Sequence, residues 1–293
     1  MSAVELLLDA RAELAEGPRW DARDGRLVWV DILAGRVHRL DPADGRDTST
    51  EVGEPVGVAT PRRGGGLVLA VEHGFALLDD GAAAPVPFAP ADAPAGSPPW
   101  RFNDGACDPA GRLFAGTMTY DVVPGAARLH RLDPDGSVRP VLDGLTISNG
   151  IGFSPDGATC YLVDTPTRRI DAFDYDVDTA TLSRRRPLAE IEPGAGDPDG
   201  LCVDADGAIW VALWGGSAVR RYAPDGRLLR MVELPAPQVS SCGFGGNDLR
   251  TLFVTTARVG MSDEQLAAAP RSGGLFALAD AGVAGLPVAE FAG

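Results

Sequence analysis

GLCVDADGAIWVA, residues 200–212, is the stretch on which the fold is decided. A glycine opens a short apolar run, Asp-Ala-Asp-Gly makes a turn, and a second run follows that carries a large aromatic, Trp210. Asp-Gly between alternating apolar residues is a strong hairpin signal, because such turns match the twist of antiparallel strands. The pattern recurs along the whole chain as GPRWDARDGRLVWV (17–30), GVATPRRGGGLVLA (57–70), GACDPAGRLFA (105–115), GIGFSPDGATCYLV (150–163) and GFGGNDLRTLFV (243–254). With Gly200 the copies begin at Gly17, Gly57, Gly105, Gly150 and Gly243, spaced 40 to 50 residues apart.

A second hairpin-like unit follows each copy. GRVHRLDPADG (35–45), ARLHRLDPDG (127–136), RRIDAFDYDVDTA (168–180) and AVRRYAPDG (218–226) are clear, and GFALLDDG (74–81) and GGLFALAD (273–280) are weaker. Four short antiparallel strands per repeat is the arithmetic of a propeller blade. The sequence therefore predicts an all-β fold, a six-bladed β-propeller, as one domain over residues 1–293. A β-sandwich would not give six matched glycine-initiated copies, and a parallel α/β sheet would need long helical patterns between strands. Only MSDEQLAAAP (261–270) reads as helical, with Ser262 and Gln265 spaced for a capping box. The Ala- and Pro-rich 82–100 stretch reads as an irregular loop. Residues near Glu5–Asp9 are placed to add an outer strand to the last blade, since a ring must join its ends.

Composition narrows the function. The apolar fraction of 45% is enough for a sizeable core, and the formal charge of −15 repels phosphates. Nucleic acid and an anionic membrane surface are thereby disfavoured as partners. All 26 basic residues are Arg, which has no evident catalytic meaning. Apolar runs such as Leu67–Val71 are too short to span a bilayer, and the acid at Glu5 argues against a signal peptide. Cys107, Cys160, Cys202 and Cys242 are widely spaced with no C-x-x-C pair, so buried free thiols in a reducing cytoplasm are expected. A monomer is favoured.

In a propeller the innermost strands line a channel, and their first residues face one opening. The residues just before the aligned glycines are Glu16, Val56, Asp104 (after Asn103), Asn149, Asp199 and Cys242. Four copies thus present a carboxylate or carboxamide at one level. Asn and Asp before Gly commonly make turns, but Glu16 is a poor turn residue. Two carboxylates pressed together without a cation repel, and one must take a proton; a divalent cation removes that penalty. Oxygen ligands suit Ca²⁺, Mg²⁺ or Mn²⁺, with Zn²⁺ or Fe²⁺ also admissible.

AEGPRW (15–20), RFNDGACDPAGRLFAGTM (101–118), ISNGIGFSPDG (147–157), DAFDYD (171–176), DPDGLCVDADGAIWVA (197–212) and SSCGFGG (240–246) together resemble the SMP-30/gluconolactonase/regucalcin-like family of sugar lactonases. The resemblance covers essentially the whole chain. It implies a six-bladed propeller and one divalent cation held by Glu16, Asn149 and Asp199. It also implies substrate oxygens bound by Arg101 and Asn103, with Asp104 as an accessory group. After GTM the family often carries a longer loop with an acidic substrate contact. Here TYDVVPGAA (119–127) is short and offers only Asp121.

The chemistry implied is hydrolysis of an aldonolactone, the cation acting as Lewis acid and Asp199 as general base. A carboxylate bound to a cation is a weakened base, so its second oxygen serves, or a hydroxide held by the cation attacks; both routes fit the residues. A surface ion pair is the competing role for Arg101. Organophosphate or aryl-ester hydrolysis on the same scaffold, and a non-catalytic calcium-binding propeller, are the rival functions. Ser148 and Ser154 lack a G-x-S-x-G elbow, and His38, His73 and His130 lack metal-ligand spacing. His38 and His130 share the H-R-L-D-P context, which points to a repeated structural role. Trp29, Phe114, Tyr161 and Trp210 recur at equivalent positions and should pack between blades.

Overall fold

A computed structural model describes residues 4–92 and 96–293. Six four-stranded antiparallel sheets succeed one another along the chain. Blade 1 comprises Ala15–Asp21, Arg26–Asp31, Arg36–Leu40 and Asp47–Glu51, and blade 2 Val56–Pro61, Leu67–Val71, Gly74–Leu78 and Val86–Pro90. Blade 3 comprises Trp100–Cys107, Leu113–Thr119, Ala127–Leu132 and Val138–Leu145, and blade 4 Ser148–Phe153, Thr159–Asp164, Arg169–Asp176 and Thr181–Glu190. Blade 5 comprises Asp197–Val203, Ile209–Trp214, Ala218–Tyr222 and Leu228–Glu233. Blade 6 takes Val239–Gly245, Thr251–Thr256 and Leu275–Leu278 from the C-terminal part and its outer strand, Val4–Leu8, from the N-terminal part. The register Val4↔Leu278 to Leu8↔Leu275 joins the ring as expected.

The Asp-x-x-Gly turns hold because a buried carboxylate replaces the missing turn partners. Asp204 is fully buried. Its Oδ1 accepts the N–H groups of Asp206 and Ala208 at 3.0 and 2.9 Å, while Oδ2 accepts Trp210 Nε1 and Arg221 Nε, both at 2.8 Å. Gly207 closes the turn at φ +81°, a conformation that side chains resist. Asp108 repeats the arrangement in blade 3, accepting Arg112 N and Nε at 2.8 and 2.7 Å.

Packing occurs between blades. Six apolar clusters fill the six junctions, each joining residues of neighbouring blades. Trp29, Phe114, Tyr161 and Trp210 are all buried there. Each such side chain contributes roughly 1.5–3 kcal/mol by leaving water. His38 and His130 occupy equivalent third-strand sites, His38 stacked on Trp29 and His130 packed against both Trp100 and Phe102.

Three features bear on the sequence reading. The helix is Asp263–Ala268, with both arms of the Ser262–Gln265 capping box formed. The 82–100 stretch departs from the loop expected of it: Val86–Pro90 is the outer strand of blade 2, and Trp100 already begins blade 3. Residues 93–95 lie outside the described residues. An edge strand tolerates Pro87 and Pro90 because one side needs no ladder donors. Unforeseen is the course of residues 281–292. They run beneath the first-hairpin turns, bonding Ala205 N to Ala284 O, Ala292 N to Gly111 O and Arg63 N to Phe291 O, each at 2.9 Å. Leu286–Ala289 thereby line a cavity of about 280 Å³ together with the inner strands. Among the described residues no helix is long and apolar enough to cross a membrane.

Candidate metal centre

Every inner strand breaks register with its neighbour near the aligned glycine. The shifts fall between Glu16/Arg19, Val56/Val58, Phe102/Asp104, Ser148/Ile151, Pro198/Leu201 and Val239/Ser241. A bulge bends its strand and re-aims the side chains beside it. At Gly57, Gly150 and Gly243 glycine is needed because neighbouring inner strands touch backbone to backbone. A Cβ on Gly150 would lie 2.5 Å from Leu201 N and 2.6 Å from Asp199 O. Glu16, Asp104, Asn149 and Asp199 are thereby brought together, while Val56 and Cys242 at the corresponding positions pack in the apolar clusters between blades.

Glu16, Asn149 and Asp199 meet there, buried to 4%, 5% and 5% exposure. Burial raises the Glu16 carboxyl well above its ordinary range; the charges of Asp199 and Asp104 add to this, while the Gly17 N–H and Arg101 oppose it. Asp199 is raised well above its range by burial and then by Asp104, against the Asn149 amide, the Gly200 N–H and Arg101. Neither carboxylate is ion-paired among the described residues. Arg101, itself buried, turns Nη1 to Phe102 O at 3.0 Å and to Asn103 Oδ1 at 2.9 Å. It is therefore not a surface ion pair, and burial lowers its pKa. Asn103 Nδ2 donates to Ser148 O at 3.2 Å, tying blade 3 to blade 4.

Asn149 supplies the sharpest detail. Its Nδ2 donates to Thr165 Oγ1 at 3.1 Å, and Thr165 Oγ1 donates to Pro198 O at 2.9 Å. Its Oδ1 is buried with no hydrogen-bond partner among the described residues. A buried acceptor left bare beside two unpaired carboxylates is costly by itself and suits a cation ligand. No three His, Cys, Asp or Glu side chains among the described residues would hold a metal by themselves. The amide oxygen is what completes the set, and the residues fit a divalent cation.

The other expected groups fall into two classes. Asp104 is partnered, accepting the Gly105 N–H at 2.6 Å and facing Arg19 Nη2 at 3.6 Å. Asp121 is exposed in the turn after Leu113–Thr119 and makes no ion pair among the described residues. Two contributors carry no local sequence signal. Thr165, which orients Asn149, sits in a short 3₁₀ turn. Tyr120 stands beside Arg101, its hydroxyl donating to Glu72 Oε1 at 2.6 Å. The four cysteines are free, and burial pushes the Cys107 thiol up to about 12, far from a reactive thiolate.

A six-bladed propeller with two carboxylates and an amide converging at one mouth is the class defined so far. Residues 14–258 match the SMP-30/Gluconolactonase/LRE-like region, and the chain belongs to that family. It is 38% identical to regucalcin of Danio rerio over 99% of this chain and 98% of that one. Among solved structures it is similar to a calcium-binding protein, regucalcin, from Agrobacterium tumefaciens, with TM-score 0.93 and 30% identity over 99% and 97% of the two chains. It is also similar to a gluconolactonase from Xanthomonas campestris, with TM-score 0.74 and 25% identity over 94% and 88%.

Proposed function

We propose that this protein hydrolyses an aldonolactone to the aldonic acid, using one divalent cation held by Glu16, Asn149 and Asp199. The bare, buried Oδ1 of Asn149 between two unpaired carboxylates carries this reading. The likeness to a gluconolactonase supports the substrate class. When bound, the cation supplies a Lewis acid for the carbonyl oxygen on which negative charge develops.

The chain's own residues do the rest. Asp199 takes a proton from the attacking water as its oxygen bonds to the carbonyl carbon. The C–O bond of the ring then breaks, and the same proton is returned to the departing ring oxygen. Arg101 and Asn103, fixed to each other, hold ring or hydroxyl oxygens, and Asp121 meets substrate from the rim. Because this machinery is recessed and buried, its dipoles act with little competition from water.

A non-catalytic cation-binding role is the second reading, favoured by the calcium-binding description of the Agrobacterium relative. A pH-stat assay of cation-loaded protein on a panel of aldonolactones separates the two. Acid release lost on chelation supports hydrolysis; tight cation binding without turnover supports the binding role. Turnover of paraoxon far above any lactone would favour an organophosphate esterase.

A further inference from the structure

The mouth of the channel has a wall that the reading above leaves unused. The ends of the second strands pair with the starts of the inner strands, as in Val71↔Val56 and Thr119↔Trp100. The hairpin tips that follow, beginning at Glu72 and Tyr120, therefore stand at the end of the channel where the inner strands begin. Blades 2 and 3 bring these two tips together. Tyr120 Oη donates to Glu72 Oε1 at 2.6 Å, and Tyr120 N donates to Pro99 O at 3.1 Å. Arg101 pairs with Met118 and Trp100 with Thr119, so Tyr120 follows directly on the strand that flanks Arg101. The wall thus adjoins the buried site.

Its chemistry is that of a surface for hydroxylated rings. Tyr120 is 43% exposed and presents an aromatic face. Next to Glu72, His73 stacks on Trp100 with ring centroids 4.9 Å apart, which stiffens the neighbouring tip. Among the described residues no other side chain binds the Glu72 carboxylate, so its Oε2 is free to accept. A carboxylate acceptor, an aromatic face and the Arg101 donor together match a cyclic polyol, whose C–H face is apolar and whose edge carries hydroxyls. Asp121, one residue after Tyr120, is exposed and has no side-chain partner among the described residues that fixes its direction.

We infer that Glu72, oriented by Tyr120, is a specificity-determining residue that accepts hydroxyl hydrogens of a polyhydroxylated ring. This rests on the lactonase reading only for the identity of the reaction; the ring-binding surface is a separate claim. Glu72 binds substrate, and Tyr120 is a positioning residue acting through it.

The test compares glucono-1,5-lactone, δ-valerolactone (which has no hydroxyls) and 1,5-anhydro-D-glucitol, the ring without its carbonyl. Glu72→Gln raises KM for the gluconolactone and Kd for the anhydroglucitol about 5- to 10-fold, the loss of one charge-assisted hydrogen bond at a partly exposed site. It leaves kcat within about twofold and KM for δ-valerolactone unchanged, because neither depends on that bond. Tyr120→Phe moves the same two constants in the same direction by a smaller factor. Equal shifts for both lactones, or none for either, overturn the inference while leaving the hydrolysis intact. Anhydroglucitol binding with the Glu72 penalty but no lactone turnover overturns the lactonase reading instead. Wild-type protein that neither binds the polyol nor opens the lactones overturns both.

Discussion

Glu16→Gln should move stability and cation affinity in opposite directions, which no purely structural residue would do. Glu16 is 4% exposed, without an ion pair among the described residues, and repelled by Asp199 and Asp104. In the cation-free protein, replacing it with a neutral isostere removes the cost of keeping a carboxyl buried against two others and should stabilise the fold by about 1–3 kcal/mol. For a chain of this size that is a rise in Tm of roughly 2–10 °C. The same change removes an anionic ligand and should weaken Ca²⁺ binding at least about 100-fold, since even outer-shell partners of metal ligands are worth 10- to 100-fold. Saturating Ca²⁺ at about 100 times its Kd adds about 2.7 kcal/mol to the wild type and almost nothing to the variant. Thermal melts in chelator and in Ca²⁺ therefore cross: the variant melts higher without the cation and gains little with it. Calorimetric titration of Ca²⁺ gives the affinity directly. If the variant melts lower than wild type in both conditions and binds Ca²⁺ as before, Glu16 is a structural residue and the reasoning fails.

Asp199→Asn should reduce lactone turnover by about 10²–10⁴-fold while leaving the circular dichroism spectrum unchanged; full turnover would remove Asp199 from the chemistry. Gly150→Ala should destabilise the protein by about 2 kcal/mol or more, because its Cβ would meet Leu201 N at 2.5 Å and neither backbone can yield without parting blades 4 and 5. Denaturant titration measures it, and a neutral result would deny the close approach of inner strands. Burial, reinforced by the charge of Arg128, pushes His130 down to about 4. The unfolded chain protonates near pH 6.5 while the folded chain holds neutral imidazole, so this stability is intact above about 6.5 and is lost as pH falls toward 4, by about 3 kcal/mol. His130→Phe should flatten that part of the stability–pH curve; an unchanged slope would locate the proton uptake elsewhere.

What was legible in the sequence was whatever repeated. The glycine before each inner apolar run recurs for more than one reason: Gly150 and Gly200 stand where a Cβ would collide with the next inner strand, whereas Gly17 has open space and is required by its φ of +54°; together they marked both blade order and the level at which Glu16, Asn149 and Asp199 stand. The closing strand Val4–Leu8 followed from the topology alone, since blade 6 otherwise lacks its outer member. Val86–Pro90 was hidden because its prolines argue against a central strand, yet at an outer edge they cost no ladder bond. The 281–292 strap belongs to no repeat and is held mainly by backbone bonds to four separate turns, which no local pattern encodes. Thr165 and Glu72 matter through partners distant in sequence, Asn149 and Pro198 for one and Tyr120 for the other. Such contacts exist only once the ring has closed.

Diffraction from crystals soaked in Mn²⁺, collected to record its anomalous signal, examines the grip on a cation without recourse to catalysis. One strong peak on the channel axis is expected, about 2.0–2.6 Å from a Glu16 carboxylate oxygen, Asn149 Oδ1 and an Asp199 carboxylate oxygen. A well-ordered channel with no peak there, or a peak bound by other residues while these three point apart, would contradict the account.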